Sequence, residues 1–129
     1  MNLLETIEKD YQNFPQNQTY SIYAENVYFQ DPLNKFRGVN RYQQMIGFLG
    51  TFFRDIQLTL HDISQQDNTI KTEWTLAMTS PLPWQPRLVI PGYSQLVFND
   101  RQLIISHIDY WHISPLKVLQ QNFPWHKQD

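Results

Sequence analysis

Val27-Tyr28-Phe29-Gln30-Asp31-Pro32 reads as a short apolar strand that delivers a carboxylate at its end. Proline after Asp31 biases that acid toward extended backbone and stops the strand. By period-two alternation Val27, Phe29 and Asp31 share one face, so the acid continues an apolar row. Such an acid is either a satisfied turn residue or a carboxylate held in a pocket, and the residues alone allow both.

Upstream, Leu3, Leu4, Ile7, Tyr11 and Phe14 recur at helical spacing, with Glu5, Glu8, Lys9 and Asp10 largely opposite. This predicts a helix over 3–14 that ends at Pro15. A polar link and a helical turn from Tyr20 to Glu25 then lead into the Asp31 strand. Downstream, a loop over 32–38 carries Lys35 and Arg37 beside Gly38. Val39, Tyr42, Met45, Ile46, Leu49, Phe52 and Phe53 then predict an amphipathic helix over 39–53. Gly47 and Gly50 weaken it by about 1 kcal/mol each against Ala, and glycines there would let a helix approach a sheet closely.

After Phe53 the period changes to two. Ile56, Leu58 and Leu60 alternate with polar residues, and so do Ile70, Thr72, Trp74, Leu76 and Met78 beyond a polar turn at 65–68. Pro81, Pro83 and Pro86 make 80–86 a stiff loop around Trp84. The next strand, 87–98, contains Pro91-Gly92, which predicts a bulge. The last strand spans 102–113, and Pro115 precedes a short helix over 116–123. Helices first and then strands joined by short turns predict an α+β fold. The expected form is a curved antiparallel sheet wrapped around the N-terminal helices, a cone-shaped α+β barrel whose open end is a pocket.

The chain has 129 residues and is expected to form one domain over 1–129, with its core at about 3–114 and a short tail over 115–129. Hydrophobic residues make up 41% and aromatic residues 15%, enough aromatic surface to wall a cavity. A net charge of −2 leaves no electrostatic footprint for nucleic acid. The absence of cysteine removes disulfides and thiolate metal sites and fits a reducing compartment. No apolar run approaches the ~20 residues of a membrane span, and the N-terminus lacks a signal pattern, so a soluble cytoplasmic protein is expected.

The run Tyr23-Ala24-Glu25-Asn26-Val27-Tyr28-Phe29-Gln30-Asp31-Pro32, then Gly38 and its amphipathic helix, then Ile108-Asp109-Tyr110-Trp111, resembles the nuclear transport factor 2-like superfamily. That fold is shared with ketosteroid isomerase, scytalone dehydratase and SnoaL-like proteins, and the resemblance covers about 3–114. Within it the chain looks most like an uncharacterised family of cyanobacteria and plastids. The resemblance implies that Asp31 stands where the isomerases hold their general base. It puts Ser94 where they hold a protonated Asp, and Tyr11 on the helix that supplies their oxyanion-binding Tyr. It also implies that the His107–Trp111 face of the last strand points into the pocket and that the outer sheet face forms a homodimer.

On that last strand Leu103, Ile105, His107, Asp109 and Trp111 alternate on one face. His107, Asp109 and, across the cavity, Asp31 would then form one titratable cluster, fit for general acid–base work. A buried hydrogen-bonded pair without a ligand is the plainer reading. These residue types also suit a divalent metal, but no ligand spacing supports one, so no metal or cofactor is expected. Trp111, Ser94, Trp74 and Phe29 are the expected ligand-contacting residues. Lys35 and Arg37 at the rim could attract an anion, His61 and His112 read as half-exposed, and His126 and Trp125 fall in the tail. The functional expectation is a binding protein for a small apolar molecule with a carbonyl or anionic group. An isomerase or dehydratase using Asp31, and a non-catalytic dimerisation domain, are the competing readings.

Overall fold

The computed structural model describes residues 2–123. Helix α1 (Leu3–Asn13) opens on a capping box: Asn2 accepts from the Glu5 N–H at 2.8 Å, and Glu5 reaches back to the Asn2 N–H. A 3₁₀ turn, Tyr20–Ile22, leads into β1 (Tyr23–Gln30), β2 (Lys35–Arg37) and α2 (Val39–Phe52). Four strands follow: β3 (Arg54–Gln66), β4 (Thr69–Thr79), β5 (Arg87–Phe98) and β6 (Ile104–Trp111). A short helix, α3 (Pro115–Gln120), comes last.

The strands form one curved, unclosed sheet in the order β2-β1-β6-β5-β4-β3. The fold is therefore α+β as expected, with two refinements. The sheet keeps free edges at β2 and β3, and β1 pairs with β6 in parallel while every other pair is antiparallel. The parallel pair arises because the chain enters the sheet at β1 and returns to its side only through the last strand.

Period-two patterning places the inner face. Ile70, Thr72, Trp74 and Met78 of β4 are buried, as are Leu88, Ile90, Gly92, Ser94, Leu96 and Phe98 of β5. One core cluster joins Ile7 of α1 to Val27, Ile70, Leu96, Phe98 and Ile104 and plugs one end of the curved sheet. A second gathers Trp74, Met78, Leu88, Ile90 and Val118, and a third gathers Phe29, Tyr42 and Ile46 of α2. Leu49 packs against both of the last two clusters, and a cavity is lined by members of each.

Several local expectations change. Val27 and Phe29 are buried as read, but the strand begins at Tyr23, so the helical turn stops at Ile22 rather than Glu25. Asp10, placed by periodicity on the polar face of α1, is 7% exposed. Its carboxylate accepts from the Thr19 N–H at 3.0 Å and the Thr19 hydroxyl at 2.8 Å. That clamp on the following turn justifies its burial. Gly47 has open space where a Cβ would stand and Gly50 faces only Pro15, so neither admits the sheet.

Pro91-Gly92 makes no bulge, because β4 and β5 pair without a break from Thr69↔Val97 to Thr79↔Arg87. Pro91 accepts from the His112 N–H, so its donorless side faces β6, where pairing stops at Gly92↔Trp111. The irregularity lies in β6 instead: Val97↔Ser106 is followed by Phe98↔Ile104, leaving Ile105 unpaired. This extra residue turns Ile105 outward and sets Ile104 on the same side as His107. Ile105 therefore does not share the His107 face. Beyond β6, residues expected as a tail pack back, since Val118 of α3 is buried in the second cluster.

Candidate functional site: a cavity with a polar floor

The cavity measures about 410 Å³ and is enclosed by α1, α2, α3 and the concave face of the sheet. Its walls are apolar, with Met45, Ile46, Leu49, Phe53, Leu58 and Leu76 prominent. Leu33 and Phe48 line it too, yet are 68% and 55% exposed, so they mark the rim.

The floor is built by register. Thr72, Ser94 and Asp109 lie in one cross-strand row, and Trp74, Gly92 and Trp111 in the next. A Cβ on residue 92 would lie 2.7 Å from the Trp74 ring, so only glycine lets the indole lie across β5. From that seat Trp74 Nε1 donates to Ser94 Oγ at 2.8 Å. Ser94 in turn donates to Asp109 Oδ1 at 2.5 Å, and His107 Nε2 stands 2.8 Å from the same oxygen. A carboxylate can only accept, so the proton of this contact sits on Nε2. His107 Nδ1 then faces the Tyr23 hydroxyl at 3.5 Å, and the Tyr23 ring packs on that of Tyr42 with centroids 5.1 Å apart. The hydroxyl of Tyr11 meets that of Thr72 at 2.8 Å.

Burial pushes the phenols of Tyr11, Tyr23 and Tyr42 well above the usual tyrosine range. The negative charge of Asp109 adds to the rise in each, and Tyr23 adds to that of Tyr42. All three stay protonated at neutral pH. His107 also packs among the rings of Tyr23, Phe29 and Tyr42, with centroids 5.0–6.1 Å away. The site is thus a hydrogen-bonded chain from Trp74 through Ser94, Asp109 and His107 to Tyr23, laid under an apolar chamber.

Of the expected site residues, Tyr11, Trp74, Ser94, His107, Asp109 and Trp111 line this one cavity. Phe29 supports His107 from behind and is not on the cavity wall. Asp31 is on the wall, but its hydrogen-bond partners are in its own turn. Oδ1 accepts from the N–H groups of Leu33 and Asn34 at 2.7 and 2.6 Å, and the Asn34 amide spans both oxygens. The structure therefore seats Asp31 as a turn residue at the rim and does not join it to the His107–Asp109 pair.

Tyr23 and Tyr42 were missed by sequence reasoning. Tyr42 was legible as an apolar-face residue of α2, but its ring contact with His107 was not. Lys35 and Arg37 do not line the cavity; Arg37 stacks over the Tyr28 ring at 5.2 Å. His61 bonds Thr75 and His112 contacts Glu73, both at the surface. Trp84 donates to the Asn122 carbonyl, while Trp125 and His126 lie outside the described residues. Among the described residues, no three His, Asp or Glu side chains gather as metal ligands, and no helix is long and apolar enough to cross a membrane.

A curved sheet folded over helices, with a chamber between them, defines the nuclear transport factor 2-like class, and solved structures bear this out. A hypothetical protein of Catenulispora acidiphila with a ketosteroid isomerase-like fold, in complex with trimethylamine, superposes with a TM-score of 0.74 at 14% identity, covering 94% of this chain and 93% of that one. An NTF2-like protein of unknown function from Burkholderia pseudomallei gives 0.74 at 12% identity, covering 91% and 94%. An LEH-like epoxide hydrolase of M. tuberculosis gives 0.70 at 14% identity, covering 92% and 86%. At such identities the likeness concerns the fold alone. The chain belongs to the DUF2358 family of uncharacterised conserved proteins, whose profile matches residues 1–107. No curated protein matches it.

Proposed function

We propose that this protein binds one small, largely apolar molecule in the chamber above the His107–Asp109 pair. The observation that carries this reading is a cavity of about 410 Å³ with apolar walls and a single polar floor, the usual build of a small-molecule site. Polar groups at one end would orient the ligand, and the rim residues Leu33 and Phe48 would meet it on entry. N-phenyl-1-naphthylamine, a neutral apolar dye, tests this. Its fluorescence should rise saturably with the protein and lose the effect in Ile90→Trp, which fills the chamber. An equal rise in the filled variant would contradict the reading.

The buried His107–Asp109 pair supports a second reading, proton transfer on a bound carbonyl compound. Asp109 and His107 would carry the proton rather than Asp31, whose oxygens are engaged in its turn. Deuterium exchange beside the carbonyl of a bound ketone, lost in Asp109→Asn, would be its signature. We also propose that the outer sheet face pairs two copies of the chain, because Val89, Ile105 and Tyr110 are exposed there. Light scattering should give twice the 15.5 kDa chain mass, and the chain mass itself at high micromolar concentration would contradict this.

A further inference from the structure

Resting on the binding reading, we infer that the chamber selects a protonated amine on an apolar body, with the ammonium group against Asp109. The donors around Asp109 are committed to one another. The Trp74 N–H goes to Ser94, and the Ser94 hydroxyl and His107 Nε2 both go to Asp109 Oδ1. The Tyr23 hydroxyl faces His107 Nδ1, and the Tyr11 hydroxyl bonds Thr72. The second carboxylate oxygen, Asp109 Oδ2, has no protein partner among the described residues. Asp109 lines the cavity with its side chain 20% exposed, so that oxygen is open rather than sealed in. Asp109 Oδ2 thus lacks a hydrogen-bond donor, and the ligand must bring it.

Charge decides which donor. Three carboxylates line the cavity, those of Asp10, Asp31 and Asp109, and among the described residues no Lys or Arg does. Asp10 and Asp31 are occupied by Thr19 and Asn34, leaving Asp109 as the acid open to a ligand. An anionic head group would meet this charge with no Lys or Arg on the cavity wall to offset it. An ammonium would make a charge-assisted hydrogen bond and lie among the rings of Tyr11, Trp74 and Trp111, whose faces favour a cation. The anion expected from Lys35 and Arg37 is therefore disfavoured, since neither reaches the chamber.

Three probes with the same apolar chain and different heads test this: n-octylamine, n-octanol and octanoate, titrated calorimetrically near neutral pH. Octylamine should bind at least tenfold more tightly than either of the others in the wild type. The preference should shrink several-fold in Asp109→Asn, with Asp31→Asn changing it far less. Equal or tighter binding of octanol or octanoate to the wild type would overturn the amine assignment while leaving the binding reading intact. Since that comparison needs no variant, it stands even if Asp109→Asn does not fold. A folded Asp109→Asn that keeps the full amine preference would also overturn it. Failure of all three probes to bind would overturn the amine assignment and the binding reading together.

Discussion

Gly92 shows how one missing atom builds the site. A Cβ there would stand 2.5 Å from the Tyr110 carbonyl and inside contact distance of Trp74. Gly92→Ala should therefore cost about 1–3 kcal/mol, the usual range for an overpacked core, and displace the indole from Ser94. Urea unfolding checks this, and stability within about 0.5 kcal/mol of wild type would contradict it. Ser94→Ala should cost a similar amount, about 1–3 kcal/mol, because the buried Trp74 N–H loses its acceptor and Asp109 a donor. Unchanged stability together with unshifted tryptophan fluorescence would show that the bridge does not form. At this scale the sequence was informative where chemistry follows strand period: His107, Asp109 and Trp111 do share a face. It was ambiguous at Asp31, although Asp-Pro-Leu-Asn is itself a turn signal, with Asn34 placed to bond the acid. It could not reveal Gly92, whose reason is a ring on the neighbouring strand.

Among the elements, α2 and α3 show opposite uses of the helix. Gly47 sits mid-helix with open space around its missing Cβ and no positive φ. Gly47→Ala should stabilise the protein by about 0.5–1 kcal/mol through lower unfolded-state entropy and better helix propensity, measurable as a higher urea midpoint. A loss of stability would mean that the position is packed after all. The α3 end completes the sheet: β6 pairs with β5 only as far as Gly92, and the Gln121 amide takes over at Val89. It accepts from the Val89 N–H at 2.8 Å and donates to its carbonyl at 3.0 Å, as a further strand residue would. Gln121→Ala should speed hydrogen exchange at the Val89 amide severalfold while leaving the β4–β5 ladder protected. An unchanged Val89 rate would contradict the role of that clasp. Helices α1 and α2 and the strands β3–β5 were legible from their periods to within a few residues. The β6 bulge was not, because Leu103, Ile105 and His107 alternate in sequence whether or not Ile105 is paired.

For the whole molecule, the cavity floor ties stability to pH. Tyr11, Tyr23 and Tyr42 ionise near 10 in the unfolded chain and well above that when folded, burial being the main cause. Above pH 10 the folded state thus holds more protons than the unfolded one, so stability is full below 10 and falls as pH rises past it. Each phenol contributes up to about 1.4 kcal/mol per pH unit there. Urea midpoints should fall above pH 10, with tyrosinate absorbance from these residues appearing only on unfolding; their ionisation near 10 in a folded chain would contradict the buried floor. The α+β class and the curved sheet followed from the order of helices and strands, and a pocket at the open end was expected with them. The size and lining of the chamber were not legible, because whether aromatic residues pack solid or wall a void depends on where α2 and α3 come to rest. The most direct test of the account is an NMR structure of the n-octylamine complex, read through contacts between ligand and protein protons. Contacts are expected from the octyl chain to Met78, Ile90 and Leu49, with the carbon next to nitrogen close to Trp74 and Trp111. Contacts confined to Leu33 and Phe48 at the rim, or to Tyr110 on the outer face, would contradict it.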